Sequence, residues 1–279
     1  MFNNKLVSVV SPCAPSIVYH VTKRLRKSIC GSLGERPKQP CLDIDKLKLV
    51  KGLPCHESFI KSFLHNQYWP REPSLAAAWM PCDSEYICLL TDKHTYGGDR
   101  TLVFEETKRT KEQRLVGLII ANRVFPWTIE ELEEWAHYTT CMPERNRLYL
   151  IAHCIAAANL FKKYKVNQVY DIEVLGTTPD VAGHGVAKLM LRSLFEDAKA
   201  LQYPVIQLIA FSAYAARAAR AVGMEREYSI RYSDFVDRVG KPAFFPRGPH
   251  QKVEVYSKTF NPCFSDCPRR PSDPDYGKR

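Results

Sequence analysis

One stretch, residues 169–201, constrains the fold of this chain more than any other part of it. The run Val169–Leu175 is predicted to be a strand, and a turn follows at Gly176–Val181. A glycine loop, Ala182–Ala187, then leads into an amphipathic helix that is predicted from Val186 to about Leu201. Because the first N–H groups of a helix have no partner inside it, a glycine turn at that point predicts an anion-binding site within an α/β fold.

Two common phosphate-binding motifs do not fit this loop. A P-loop requires Gly-Lys-Ser/Thr, whereas Gly185 is followed by Val186 and Ala187, which argues against a nucleoside triphosphatase. A Rossmann fingerprint requires a third glycine at the position where Lys188 stands. A tight strand-to-helix turn that binds no ligand is the plain alternative, and both interpretations stay open on the loop alone.

Charge and cysteine usage exclude several function classes. The net charge is +10, but residues 1–41 hold seven Lys or Arg against one acid, Glu35, so the excess lies mainly outside the predicted domain. We therefore expect no nucleic-acid partner.

The ten cysteines form neither a Cys-x-x-Cys pair nor a Cys/His set at zinc spacing, so no metal is expected, and they suit a reducing compartment. No apolar run approaches the ~18 residues of a membrane span.

Shifts in composition divide the chain into three parts. Residues 1–41 are predicted to be a basic, disordered leader, because residues 1–34 contain no Asp or Glu. Residues 42–260 are predicted to form a single domain, and residues 261–279, with four prolines, a disordered tail. We expect a cytoplasmic protein. The alternative is a mitochondrial one, with the leader as its transit peptide.

Hydrophobic periodicity predicts the element order β-α-α-β-β-α-α-β-α-β-α-β-β within residues 42–260. The predicted helices span residues 57–66, 74–79, 128–135, 144–164, 186–201 and 212–221. The predicted strands span residues 43–50, 100–106, 115–124, 169–175, 204–210, 228–235 and 253–259. Thr128 and Glu131 have the spacing of a capping box, which predicts that the Thr128 side chain caps its helix.

The loop also resembles the acetyl-CoA loop of the GCN5-related N-acetyltransferases (the GNAT superfamily), written Arg/Gln-x-x-Gly-x-Gly/Ala. Gly185 and Ala187 match its last two positions, and Thr177-x-Pro179 is similar to the Val-x-Pro that usually precedes it. The predicted order of elements is that of the same fold. The resemblance implies a single-domain GNAT fold, an α/β structure with a mixed, mostly antiparallel sheet of about seven strands flanked by helices.

This resemblance implies acetyl-CoA as the co-substrate and no metal. The residues that it implies for binding acetyl-CoA are Leu175, Gly176, Thr177, Ala182, Gly183, His184, Gly185, Val186 and Ala187. One departure is Ala182, which stands where the family has Arg or Gln. With alanine at this position the main-chain N–H donors of the loop remain, but one side-chain contact to the ligand is lost.

A closer resemblance links the chain to the invertebrate arylalkylamine N-acetyltransferases. It is carried by Ser212-x-Tyr214-x-Ala216-Arg217, by Pro246-x-x-Pro249-His250, and by Arg71-Glu72-Pro73, which is similar to that group's Asp-Glu-Pro. The resemblance implies Glu72 as the general base, with Ser212 and Tyr214 as donors to the leaving thiolate. That branch tends to place serines where this chain has Phe211 and Ala215, which weakens a serine-assisted route.

The chemistry requires a base because an alkylamine with a pKa near 10.4 is protonated at pH 7, by a margin of roughly 4.6 kcal/mol. Glu72 is the preferred carboxylate, and Asp171 and Glu173, on one face of the central strand, are the alternatives. We therefore expect a small-molecule primary amine, arylalkylamine-like, as the partner, acetylated by direct attack. The alternatives are a polyamine, amino-acid or protein-lysine acetyltransferase, with an acidic cleft favouring polyamines, or a non-catalytic acyl-CoA-binding protein.

Overall fold

Seven strands form one sheet, with the spatial order β1-β2-β3-β4-β5-β7-β6. The computed structural model describes residues 47–106, 113–237 and 240–260. The strands are β1 (Leu47–Lys51), β2 (Asp99–Glu106), β3 (Gln113–Val124), β4 (Val169–Thr177), β5 (Val205–Ala210), β6 (Glu225–Arg231) and β7 (Lys252–Thr259). All neighbours are antiparallel except β4 and β5, which run parallel. The predicted leader and tail, residues 1–41 and 261–279, lie outside the described residues.

Helices cover both faces of this sheet. Within the described ranges they are α1 (Glu57–Phe63), α2 (Pro73–Ala77), α3 (Glu85–Tyr96), α4 (Thr128–Tyr138), α5 (Met142–Ala158), α6 (Leu160–Tyr164), α7 (Val186–Ala200) and α8 (Ala213–Ala221). The sheet topology and the flanking helices agree with the predicted fold class. Every one of these helices is too short or too polar to cross a lipid bilayer.

The two parallel strands at the centre of the sheet separate part-way along their length. β4 pairs with β5 only over Tyr170–Ile172, whereas β3 continues to pair with β4 up to Thr177. From Glu173 onward, the edge of β4 that faces β5 has no strand beside it. At this opening between β4 and β5, the main-chain groups on that edge of β4 have no partner in a neighbouring strand.

A β-bulge sends side chains of β4 to two different parts of the core. Tyr170 and Ile172 pack in a cluster with apolar side chains of α7 and α8. Val174 belongs to a second cluster, which contains buried side chains of α1 and α3. In a regular strand these three residues would share one face, but Glu173 is an extra residue in the pairing with β3, and this bulge turns Val174 to the other face. β4 therefore lies between the two layers of helices.

Several local predictions differ from the structure. The strand predicted at residues 228–235 is β6, which begins earlier and ends at Arg231, and a 3-10 turn follows at Tyr232–Asp234. Helix α3 was not predicted, because its buried face includes polar residues, Thr91 and His94, which obscure the apolar period. The helix predicted at residues 144–164 is interrupted at Asn159, which has φ +48, a left-handed conformation that asparagine tolerates. The predicted capping box is wrong: Trp127 is the N-cap, and the Thr128 hydroxyl oxygen accepts from the Phe125 N–H instead (3.2 Å).

Candidate active site

The glycine loop lies between the end of β4 and the start of α7. A 3-10 turn at Pro179–Val181 follows the strand, and both Gly183 and Gly185 adopt positive φ angles, of +86 and +87. Val181 and Val186 are buried on either side of the loop, whereas residues 182–184 are exposed. The loop is therefore held by its ends while its middle faces solvent.

The main chain of this loop is accessible to a ligand. No side chain caps the N-terminus of α7, where Gly185 is the N-cap residue. A Cβ atom built at Gly183 meets nothing within 4 Å, so the space over that glycine is open. The free N–H groups of a first helical turn carry partial positive charge, and an open glycine lets an anion approach them closely. These features fit the diphosphate of a coenzyme A.

The side chains around the loop add one cation to this arrangement. Ala182 and His184 are both exposed, and Ala182 supplies no polar group. Lys188 lies over the N-cap, since a Cβ at Gly185 would stand 3.5 Å from its Cε atom. Lys188 thus brings an ammonium group to a loop in which Ala182 supplies no charge.

On the other side of the opening, Glu72 caps helix α2 with its side chain. The Leu75 N–H (2.8 Å) and the Ser74 hydroxyl (2.7 Å) both donate to Glu72 Oε2. Glu72 is only 3% exposed. Its second oxygen, Oε1, is buried and accepts no hydrogen bond from the residues that the structure describes. A buried carboxylate oxygen without a donor is energetically costly, so this oxygen is a site where a ligand's N–H or a water would bind favourably.

A buried arginine, Arg147 of α5, accompanies Glu72. Its Nε–H donates to Ser74 Oγ (3.1 Å), and its Nη1–H donates to the Tyr86 hydroxyl (2.7 Å). The Nε atom lies 4.0 Å from Glu72 Oε2, and Arg147 is 7% exposed. Its guanidinium also lies 5.5 Å from the centre of the Phe211 ring. A guanidinium this close balances the charge of the buried carboxylate.

The chain that leads into Glu72 packs directly on the free end of β4. A Cβ at Gly176 would stand 2.7 Å from Tyr68 Cδ2, so only glycine permits this contact. Arg71 Nη2–H also donates to the Thr177 carbonyl (2.9 Å). Arg147, which lies beside Glu72, contacts Phe211 just after the end of β5, so the neighbours of Glu72 reach the ends of both strands.

The two predicted proton donors lie at the start of α8. Ser212 is the N-cap of this helix, and its hydroxyl oxygen accepts from the Ala215 N–H (3.0 Å). Tyr214 is 61% exposed, and its ring centre lies 5.1 Å from that of His250. His250 Nδ1 in turn accepts from the Ala213 N–H (3.2 Å). Burial lowers the pKa of His250, while the charge of Glu72 opposes that shift, which ties this helix end electrostatically to the Glu72 site.

The alternative carboxylates on β4 have separate hydrogen-bond partners, with Asp171 buried and Glu173 partly buried. Glu173 accepts from Lys93 Nζ (2.8 Å) and Asn122 Nδ2 (2.6 Å), and His94 Nδ1 lies 3.2 Å away. Burial alone would raise the pKa of Glu173, but these three groups together lower it. Burial and the neighbouring Glu173 raise the pKa of Asp171 to about 7. Glu173 is therefore fully occupied by partners, whereas Asp171 is bound only by Gln207 Nε2 (3.0 Å) among its described neighbours.

Three residues of the Glu72 site escaped the sequence analysis: Ser74 and Arg147, which neighbour the carboxylate, and Tyr86, which binds Arg147. They come from three separate segments, and nothing in the local pattern around any of them marks it as part of a site. Arg147 was the one residue whose position could have indicated the site. It lies among the apolar residues of α5, and a buried charge is usually paired with a buried polar group. In the described part of the chain, no three His, Cys, Asp or Glu side chains are grouped as metal ligands would be.

No family model matches the chain, and no curated protein matches it in sequence. Solved structures do match. A mosquito arylalkylamine N-acetyltransferase like 5b is 19% identical with a TM-score of 0.68, over 77% of this chain and 100% of that one. A Drosophila melanogaster polyamine N-acetyltransferase that forms N-acetylagmatine is 19% identical with a TM-score of 0.67, over 77% and 100%. Arylalkylamine N-acetyltransferase 2 from Aedes aegypti is 19% identical with a TM-score of 0.67, over 77% and 99%. At this identity the likeness shows a shared fold, and the predicted fold is confirmed.

Proposed function

We propose that this chain, which has the fold of the insect N-acetyltransferases, transfers acetyl from acetyl-CoA to a small primary amine. One observation carries the proposal. Glu72 is a buried carboxylate with one oxygen that accepts no hydrogen bond from the described residues, and its neighbours Arg71 and Arg147 contact Thr177 of β4 and Phe211 after β5. The open main chain of the glycine loop follows the same strand. A base and an anion site on either side of one opening is what acetyl transfer to an amine requires.

The glycine loop is the proposed site for the coenzyme. The N–H groups of Gly183 and of residues 185–187 would hold the diphosphate, with Lys188 adding a positive charge beside Gly185, whereas the His184 N–H already donates to the Val181 carbonyl (3.3 Å). Acetyl-CoA supplies the acetyl group as an activated thioester. The main-chain N–H groups of Leu175 and Thr177 point away from β3, and we propose that one of them donates to the carbonyl oxygen, where negative charge develops during transfer. With Gly176 between them, these residues have the binding role that we propose from the family resemblance.

Glu72 is the proposed general base. Removing a proton from an alkylammonium at pH 7 requires roughly 4.6 kcal/mol, and a carboxylate next to the nitrogen accepts that proton directly or through a water. Oε2 is held by Leu75 and Ser74, so Oε1 is the atom available to the amine. Arg147 holds Ser74 and balances the charge of the carboxylate before the proton arrives.

Ser212 and Tyr214 are the hydroxyl groups proposed to donate a proton to the departing sulfur. A phenol is the stronger acid of the two, but Tyr214 projects into solvent, whereas Ser212 is half-buried at the end of β5. The Ser212 oxygen accepts from Ala215, and this leaves its own proton free to be donated.

Polyamines are the second class of acceptor to consider. Helix α4 carries four exposed glutamates, Glu130, Glu131, Glu133 and Glu134, and no Lys or Arg. The ring of Trp135 from the same helix packs edge-on against Tyr86 at 5.7 Å, and Tyr86 binds Arg147. An acidic helix this close to the Glu72 site favours cationic acceptors.

Two measurements on the full chain test the proposal. Calorimetry with acetyl-CoA separates a coenzyme-binding protein from one that binds none. A thiol-release assay over phenethylamine, agmatine, an amino acid and a lysine peptide then separates an acetyltransferase from a non-catalytic binder. Binding of acetyl-CoA without thiol release above the rate in buffer, for every amine, would overturn the enzymatic function.

A further inference from the structure

Hydrogen bonds connect helix α3 to the Glu72 carboxylate through a line of four side chains: Tyr86, Arg147, Ser74 and Glu72. The Tyr86 hydroxyl accepts from Arg147 Nη1–H (2.7 Å), and Ser74 Oγ accepts from Arg147 Nε–H (3.1 Å). The Ser74 hydroxyl then donates to Glu72 Oε2 (2.7 Å). All four side chains are buried, so water does not readily replace a partner that is lost.

Arg147 fixes the direction of these hydrogen bonds. A guanidinium has only N–H donors, so both Tyr86 and Ser74 must present an oxygen to it. The one proton of the Ser74 hydroxyl is therefore directed at Glu72 Oε2, which also accepts from the Leu75 N–H (2.8 Å). Two donors on Oε2 hold the carboxylate in one orientation, and Oε1 is the oxygen that accepts nothing from the described residues.

The same arginine stops short of a direct hydrogen bond with the carboxylate. Its Nε atom lies 4.0 Å from Glu72 Oε2, which is beyond hydrogen-bond distance. An arginine and a carboxylate that meet without restraint commonly form a bidentate pair, in which both carboxylate oxygens are occupied. Here Tyr86 and Ser74 hold the guanidinium at two of its nitrogens, and that bidentate pair does not form.

Tyr86 is itself held by the packing of α3. Its ring belongs to a core cluster with Ile87 and Leu90 of the same helix, and the ring of Trp135 packs edge-on against it at 5.7 Å. Burial raises the pKa of Tyr86, although Arg147 opposes that shift, so the hydroxyl remains mostly protonated at pH 10. Tyr86 is thus a fixed acceptor for Arg147 over the pH range in which the reaction is measured.

We propose that Tyr86 is a positioning residue for acetyl transfer, whose hydroxyl restrains Arg147 and so keeps Glu72 Oε1 open to the amine. This inference rests on the proposed function, in which Oε1 receives the proton of the amine. Without the hydroxyl, Arg147 Nη1–H would lose its acceptor, and Glu72 Oε1 offers an unoccupied acceptor in the same buried site. The bidentate pair that then forms would cover the base.

Tyr256 provides a matched control for the loss of the Tyr86 hydroxyl. It is fully buried, and its hydroxyl accepts from Arg220 Nη1–H (2.6 Å), just as the Tyr86 hydroxyl accepts from Arg147. Both Tyr256 and Arg220 also bind Glu254. Within the described residues, no hydrogen bond or ion pair joins this group to Glu72. Tyr256→Phe therefore removes a buried hydroxyl from an arginine away from the base.

Kinetics of the two variants on the full chain test the proposal, with the amine of the panel that releases thiol fastest. We expect Tyr86→Phe to lower kcat/KM at pH 7 by about tenfold or more, a part of what a general base contributes. The loss should shrink to about twofold at pH 10, where the amine loses its proton unaided. The Kd for acetyl-CoA should not change. Tyr256→Phe should keep the wild-type kcat/KM at both pH values.

Removal of the arginine distinguishes restraint of Arg147 from a purely structural role of the hydroxyl. In Tyr86→Phe/Arg147→Met no guanidinium is left to cover Oε1, so kcat/KM at pH 7 should exceed that of Tyr86→Phe by about threefold or more. It should also equal that of Arg147→Met, because the hydroxyl then has nothing to restrain. If Tyr86→Phe does not fold, this second comparison decides: a lower kcat/KM in the double variant than in Arg147→Met would overturn the proposal.

The outcomes separate this inference from the proposed function. If the wild type acetylates no amine, the proposed function fails and the role of Tyr86 fails with it. If the wild type is active and a folded Tyr86→Phe loses less than about tenfold in kcat/KM at pH 7, the acetyltransferase stands and the role of Tyr86 is wrong. The same conclusion follows if the loss is as large at pH 10 as at pH 7, or if Tyr256→Phe loses as much.

Discussion

The two sides of the opening between β4 and β5 are built in opposite ways. The glycine loop is exposed, lies within one stretch of about six residues, and offers main-chain groups. The Glu72 site is buried and offers a side chain, held by Ser74, Arg147 and Tyr86. Those partners come from segments separated by up to 73 positions along the chain.

This difference determines how each site responds to substitution. A main-chain site depends on φ angles and open space, so it tolerates the loss of a side chain such as the one that Ala182 lacks. A buried side-chain site depends on every partner, because removing one leaves another polar group without a hydrogen bond. The predictions below test that contrast, from the largest expected effect to the smallest.

Glu72→Gln should have the largest effect. Glutamine keeps an oxygen for the Leu75 N–H but accepts no proton, so we expect kcat at pH 7 to fall by about a hundredfold to ten-thousandfold. The Kd for acetyl-CoA should not change, and the rate should recover as the pH rises towards about 10, where the amine loses its proton unaided. Steady-state kinetics between pH 7 and 10 would measure this.

Glu85→Gln is the matched control for this variant, since Glu85 also stands at the start of a helix, α3, but is exposed. Its kcat should equal that of the wild type. An unchanged rate for Glu72→Gln at pH 7 would remove Glu72 as the base and return attention to Asp171.

Asp171→Asn, the next prediction, should change how the free energy of unfolding depends on pH. The pKa of Asp171 is raised to about 7 in the folded state, so its contribution is lost as the pH rises through that value. The variant should therefore gain stability over the wild type between pH 5 and pH 8, by about 2–3 kcal/mol. Urea unfolding at both pH values gives this difference. If the free energies of unfolding of variant and wild type differ by the same amount at pH 5 and at pH 8, the pKa of Asp171 is not raised in the folded protein.

Gly183→Ala should weaken coenzyme binding through the main chain. Gly183 and Gly240 have φ angles of +86 and +77, and a Cβ at either would meet nothing within 4 Å. Alanine at each should cost about 1 kcal/mol of stability through the same backbone strain. Only Gly183→Ala should also raise the Kd for acetyl-CoA, by about tenfold, because its methyl group would enter the proposed diphosphate site. Equal Kd values for the two variants would place the coenzyme elsewhere.

Ala182→Arg should have the smallest effect. An exposed arginine beside the loop restores the residue that the family resemblance leads us to expect, and such a pair contributes about 0.2–1 kcal/mol. The Kd for acetyl-CoA should fall about twofold to fivefold in calorimetry at low salt. Ala182→Met adds length without charge, so an equal gain in that variant would mean that packing, not charge, was missing.

The elements with a clear period were predictable and those with a buried polar face were not. The strand and helix on either side of the glycine loop follow from alternation and amphipathicity. Helix α3 was missed because Thr91 and His94 face inward: Thr91 accepts from Trp69 Nε1–H, and burial lowers the pKa of His94 to about 4. His94 is neutral because distant segments bury it, and in the sequence alone its presence makes the α3 segment look polar.

The sequence by itself determined the local features of this protein, namely the strand β4, the glycine turn after it, and the helix α7, whose first N–H groups the turn leaves exposed. Those features depend on φ angles and on neighbours a few residues apart, which the local residue types specify. Only the tertiary structure decided that Glu72 is buried, that its Oε1 atom accepts no hydrogen bond from the described residues, and that Arg147 balances its charge. Burial and charge pairing depend on which distant segments meet, and that is a property of the packed fold.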